Sequence, residues 1–234
     1  MFKQLLTSII AITAFIAIIV NINGCSNTVT PTQGNNLDFS YISSTDTTDH
    51  AGNLILDTVK LLLKDIKLNV ASSNDSDNFK TGPFVLYVNL SNPAILQTVG
   101  SAYIPPGTYD KIKFEVHKLN TNEAIPDPEF IDANNSYSVI AKGTFNGVRF
   151  IYKSDKSAKQ QVSFPHPLVV TATTSNVTLR IQPYIWFIDE STNMYLDPTN
   201  PANHNTIDNN IKENIKGNFK AFKDNDKDGI EDPD

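Results

Sequence analysis

A single cysteine among 234 residues, Cys25, leaves no partner for an intrachain disulfide and no Cys-type zinc site. Stability must therefore come from a packed core. The four histidines, His50, His117, His166 and His204, lack the HxxxH or HExxH spacing that gathers ligands on one helix face. There is no Gly-x-Ser-x-Gly elbow, and Ser101, which follows Gly100, leads into a Pro-Pro turn instead of a helix. No P-loop and no GxGxxG cradle is present. Basic residues are outnumbered 19 to 25, a formal charge of −6. Such a surface repels phosphate backbones, which excludes nucleic acid as a partner. Beyond the first two dozen residues no apolar run is long enough to cross a bilayer.

Paired carboxylates, as glycoside hydrolysis needs, have two carriers: Asp127 with Glu129 in a proline-rich loop, and Asp189 with Glu190. Neighbours on a strand point to opposite faces, so Asp189 and Glu190 do not form a pair. The reading is that the chain is not an enzyme.

What is present begins at the N-terminus. Met1-Phe2-Lys3 precedes an apolar run from Leu5 to Val20, then Ile22-Asn23-Gly24-Cys25. A basic start, an apolar stretch and a small residue before a cleavage point are the parts of a secretory signal. The run of about 16 residues is shorter than the roughly 20 of a spanning helix. Ending on Gly24-Cys25, it resembles the lipobox of bacterial lipoproteins. That resemblance implies that residues 1–24 are removed and that the Cys25 thiol is acylated, palmitate included. The protein would then sit in the bacterial cell envelope, with its lipid in the membrane and Ser26 directing it to the outer membrane. More than one acyl chain makes such anchoring stable. Without Lys3 the mature chain has 18 basic and 25 acidic residues. Residues 25–36, mostly Ser, Asn, Thr, Pro, Gln and Gly, have the composition of a flexible tether.

From 37 to 190 the pattern is that of strands. Phe84 to Leu90 alternates, and Tyr109 to Val116 places Ile112, Phe114 and Val116 on one face and Lys111, Lys113 and Glu115 on the other. Asn146-Gly147, between Ala141–Phe145 and Val148–Tyr152, is a two-residue hairpin signal, because both turn positions need φ > 0. Leu168–Thr173 and Val177–Ile188 predict two further strands. Val59–Val70 suits either a helix or a strand, and its β-branched flanks favour strand. No crossover helices suited to a parallel α/β sheet are found, so the fold class is all-β.

Ile104-Pro105-Pro106-Gly107-Thr108-Tyr109, followed by an alternating strand, resembles a turn of prealbumin-like β-sandwich domains in bacterial surface proteins. Val59–Leu68, Phe84–Leu90 and Pro105–Phe114 together are similar to an uncharacterised family of bacterial lipoprotein domains, over about residues 55–118. The expected fold is a prealbumin-like or Ig-like β-sandwich over 37–190 with one short C-terminal helix. The resemblance implies no chemistry.

After the turn-rich Asp197-Pro198-Thr199-Asn200-Pro201, residues Ile207, Ile211, Ile215, Phe219 and Phe222 recur at near-helical spacing. Within a segment 191–223 they predict an amphipathic helix capped by Thr206. Residues 224–234 follow, with Asp224, Asp226, Asp228 and Asp232 around Gly229 and Ile230. Alternate carboxylates converge on one point, the glycine permits the bend, and Ca²⁺ takes 6–8 oxygens. The pattern resembles thrombospondin type-3-like calcium loops. That resemblance implies carboxylate ligands from Asp224, Asp226, Asp228 and Asp232, a backbone carbonyl from Ile230, and weak calcium binding. Such loops place an acidic ligand twelfth, whereas Asp234 is at the eleventh position; Asp234 with the terminal carboxylate, or water, would take its place.

Tyr184-Ile185-Trp186-Phe187, read as strand, would put Tyr184 and Trp186 on one face as a stacking platform for a sugar ring. A core tryptophan is the other reading of the same residues. The function expected is a lipid-anchored, non-catalytic role in adhesion, assembly or scaffolding, with an envelope protein as partner. The alternative is a glycan- or ligand-binding lipoprotein using the Tyr184–Phe187 aromatics.

Overall fold

The computed structural model describes residues 34–44, 53–90 and 95–233. Cys25, the signal segment and residues 25–33 of the tether lie outside them. The last tether residue is already part of the fold. Asn36 is buried, its amide donating to the Ile104 and Thr171 carbonyls at 2.9 and 2.7 Å and accepting from the Ile104 N–H. The tether therefore ends before Asn36.

The described residues are mostly strand, with one α-helix among them. β1 (Leu37–Ser43) is followed by β2 (Leu54–Val70), which turns through Ser72, at φ 62°, into β3 (Ser76–Asn89). The next strands are β4 (Gln97–Ala102), β5 (Gly107–Val116), β6 (Val139–Phe145) and β7 (Val148–Ser154). They are followed by β8 (Ala158–Val170), β9 (Ser175–Ile181) and the short pair β10 (Ile188–Asp189) and β11 (Met194–Tyr195). α1 (His204–Gly217) and β12 (Lys220–Lys223) complete the order. One sheet runs β12-β9-β1-β4, with β1 and β9 parallel. The larger runs β7-β6-β2-β5-β8, with β3 on the other edge of β2.

The inner face of β2 carries Leu54, Leu56, Val59, Leu61, Leu63, Ile66 and Leu68, none more than 6 % exposed. Their spacing is two, except from Leu56 to Val59 and from Leu63 to Ile66, where it is three. Register shifts fall at both places. A bulge adds one residue, and the extra residue keeps the following side chains on the same face. The step from Leu63 to Ile66, with Leu62 beside it, is also what gave 59–70 its helical appearance. Leu62 faces outward into a second small cluster with Leu119, Phe130 and Ile140.

The main core takes Phe39 from β1, Ile112, Phe114 and Val116 from β5, and Val177 and Leu179 from β9. The expected faces of β5 and the Asn146-Gly147 hairpin are both found, the latter with φ of 48° and 80°. Tyr109 starts β5 pointing inward, its hydroxyl 2.8 Å from the Pro105 carbonyl and from Asp77.

The C-terminal part departs from expectation. The helix is shorter than its apolar spacing suggested: Asn203, not Thr206, precedes its first turn, and it stops at Gly217. Only Ile207, Ile211 and Ile215 are its core residues. Phe219 lies beyond the end of the helix, and Phe222 is on β12, which pairs with β9. The segment 191–223 is built into the sheet edge and the common core.

Gly143 on β6 lies against the bulged part of β2, where an added Cβ would meet the Ile55 carbonyl oxygen at 2.0 Å. Backbone cannot yield as a side-chain tip does. Gly143→Ala is expected to destabilise the protein by about 2–3 kcal/mol, as overpacking does. A urea midpoint unchanged from wild type would contradict this placement of β6 on β2.

Candidate metal centre

The acidic segment continues the sheet. Beyond β12, the Asp224 N–H donates to the Asn176 carbonyl at 3.0 Å, and the Asn176 N–H donates to Asn225 Oδ1 at 3.0 Å. The Asn176 amide donates to the Asp224 carbonyl and to Thr178 Oγ1, and accepts from the Ser40 hydroxyl. β1, β9 and the loop after β12 are tied together by these buried side chains.

Asp224 is fully buried. Its carboxylate accepts from the Thr178 hydroxyl at 2.6 Å and from the N–H groups of Asp228 and Gly229 at 3.0 and 3.2 Å. A carboxylate has about four lone-pair sites, so these three bonds do not exhaust it. The backbone curls over it with Lys227 at φ 60° and Gly229 at φ 81°. Gly229 also lies where a Cβ would stand 2.6 Å from Ile42 Cδ1. Asp232 closes the loop, its N–H donating to the Lys223 carbonyl and its carboxylate accepting from the Asn225 N–H at 2.8 Å.

The result is that Asp224, Asp226 and Asp232 each present a carboxylate oxygen within 4.8 Å of the other two. Asp228 is not in this group; its carboxylate accepts from the Ile230 N–H at 2.7 Å. The Ile230 side chain is exposed. The cations of the neighbourhood are engaged elsewhere, Lys227 with Asp38 at 2.8 Å and Arg180 with the Gly229 carbonyl at 2.7 Å. Carboxylate oxygens of this kind suit a hard divalent cation. Without one, a fully buried carboxylate beside two others is electrostatically costly.

The chain matches no protein-family model, no curated protein and no solved structure.

The aromatic platform is overturned. Tyr184, Ile185, Trp186 and Phe187 lie in a 3-10 turn, Pro183–Phe187, and the strand expected to reach Ile188 ends at Ile181. Pro183 cannot donate to a ladder and presets φ for the turn. Trp186 and Phe187 are fully buried, Phe187 against Phe150 and Tyr152. The half-buried Tyr184 accepts the Leu56 N–H on its hydroxyl. No ring face of Trp186 is available to a sugar. The proline was the available signal.

The carboxylate pairs have other partners. Asp127 lies 2.5 Å and Glu129 2.8 Å from the Lys60 ammonium, and Lys142 bonds Glu129 at 2.6 Å. Hydrogen bonds from Lys142 and Lys60 hold Glu129 below the usual carboxylate range. For Asp127, burial acts upward but is outweighed by the Lys60 ammonium and the Glu129 N–H, leaving it lowered as well. A glycosidase acid needs the opposite shift. Asp189 is lowered by the Ser191 hydroxyl and N–H in a local turn.

Two outcomes follow. Trp186 fluorescence in the folded protein is expected to resist acrylamide and to stay unchanged with a polysaccharide panel; strong quenching would contradict its burial. The Lys60 cluster sets an acid dependence. Because both carboxyls are lowered in the folded state, their contribution is present above their ordinary values of 3.8 and 4.5. It is lost as pH falls through the lower folded values. Lys60→Met is therefore expected to lose less stability than wild type between pH 7 and pH 3, measured by urea unfolding at each pH.

Proposed function

We propose that this chain is a lipid-anchored protein of the bacterial cell envelope, non-catalytic, serving adhesion, assembly or scaffolding. Its folded part is a β-sandwich of prealbumin-like or Ig-like type that binds calcium at residues 224–232. The anchor reading rests on Leu5–Val20 and Gly24-Cys25, with Cys25 carrying the lipid and the outer membrane as destination. Two sheets contributing to one core support the sandwich reading. The partner class is another envelope protein.

The observation that carries the calcium reading is the convergence of Asp224, Asp226 and Asp232 within 4.8 Å around a fully buried carboxylate. Asp228 and the Ile230 carbonyl, the other expected ligands, would join through water or by a small shift of the loop. A site with so few direct ligands binds weakly, with Kd on the order of 10⁻⁴–10⁻³ M, as extracellular modules do. Its role would be structural: a cation at Asp224 offsets the buried charge and fastens β12 to β9.

Calcium titration of the full chain in a neutral detergent tests this. At 10 mM calcium and a Kd of about 1 mM, mass action gives roughly 1.4 kcal/mol. The corresponding rise in Tm is about 3–6 °C. Asp226→Asn, at an exposed position, is expected to abolish the rise without unfolding the protein. Neither heat nor a Tm shift at 10 mM calcium would end the calcium reading. For the anchor, labelled palmitate is expected on the wild-type chain expressed in a Gram-negative host and not on Cys25→Ala.

A further inference from the structure

The outer face of the larger sheet holds a concentration of lysines that neither the anchor nor the acidic loop uses. Lys67 on β2 stands directly opposite Lys113 on β5, and Lys113 opposite Gln161 on β8. One step along, Glu115 faces Lys159, and Lys64 and Asp65 lie at the β2 bulge. These residues line a hollow of 540 Å³. Such a volume lies within the range of small-molecule sites.

Its charge is unbalanced. Lys64, Lys67, Lys113 and Lys159 line the hollow against two carboxylates, Asp65 and Glu115. Asp65 pairs with Lys67 at 3.2 Å. Lys113 donates to the neutral Asn69 side-chain carbonyl. Lys64 and Lys159 have no ion pair among the described residues. Like charges directly opposite on a ladder are destabilising, and this pair stands in a chain with a net charge of −6. Two excess positive charges in a concave, polar setting complement a dianion.

We propose that this hollow binds the phosphate group of a small, soluble phosphate ester. Lys67 and Lys113 hold the oxyanion through charge-assisted hydrogen bonds. Lys64, Lys159 and Gln161 complete the polar lining around them. The concavity favours a discrete ligand over a flat lipid surface. The site is independent of the calcium loop, since the two share no residue.

The test is calorimetric titration of inorganic pyrophosphate into the full chain in neutral detergent, at 50 mM NaCl. EDTA is present, so that calcium takes no part. Saturable binding is expected, weakened at least tenfold in Lys67→Gln/Lys113→Gln and unchanged in Lys216→Gln on α1. The double variant loses a like-charge contact together with the Lys67–Asp65 pair and the Lys113–Asn69 bond, and a cooperative thermal transition shows that it is folded. Absence of saturable binding would overturn the proposal, as would equal affinity in the double variant. Binding to phosphatidylglycerol vesicles through these lysines, without pyrophosphate binding, would overturn the soluble-ligand assignment.

Discussion

The pairing of β2 on both edges is the constraint on which the rest of the chain depends. β3 takes one edge, while β6 and β5 share the other, β6 over residues 54–61 and β5 over 63–70. A strand so placed must keep one row of side chains inward along its whole length, although two separate antiparallel neighbours meet along one edge of it. The two bulges make that possible by restoring the face after each break. Between the two neighbours the backbone stays satisfied, with the Leu62 N–H bonded to the Ser138 carbonyl and the His117 N–H to the Leu62 carbonyl. Leu62 then serves the second cluster, and the 117–137 segment closes over it.

The other sheet solves a different problem, joining its edge to a highly acidic segment. Ser40, Asn176 and Thr178 are all buried and polar, and each spends its hydrogen bonds on the next or on Asp224. A buried network of this kind stabilises only when every member is satisfied. It makes the 224–232 loop an extension of β9 and β12, so an ion held there acts on the sheet itself. In the proposed function this is the link from a local ligand set to the stability of the domain.

Lysines perform two opposite tasks on the larger sheet. Around Lys60 they meet carboxylates at ion-pair distance and fasten the Pro128–Phe130 turn over the small cluster. Around Lys113 four lysines share only two carboxylates, with Lys67 paired to Asp65 and Lys113 bonded to a neutral amide. Composition does not distinguish the two groups. The difference lies in which strand stands opposite, and only the second group has charge left for a ligand.

The sequence by itself determined the elements whose signals are local. Alternation fixed β5, the φ > 0 requirement at Asn146 and Gly147 fixed the β6–β7 hairpin, and carboxylate spacing around Gly229 marked the acidic loop. Each depends on backbone geometry within a few residues. Tertiary structure alone decided the rest. Phe222 fit a helical stripe as well as a strand until β9 offered an edge to pair with. Trp186 suited a surface platform as well as a core, until the turn at Pro183 directed it inward. Asp224 and Asp226 became a cluster with Asp232, and not with Asp228, because the hydrogen bonds to Asn176 and Lys223 set where the loop closes. Periodicity names a face, but what covers that face is chosen by residues far along the chain.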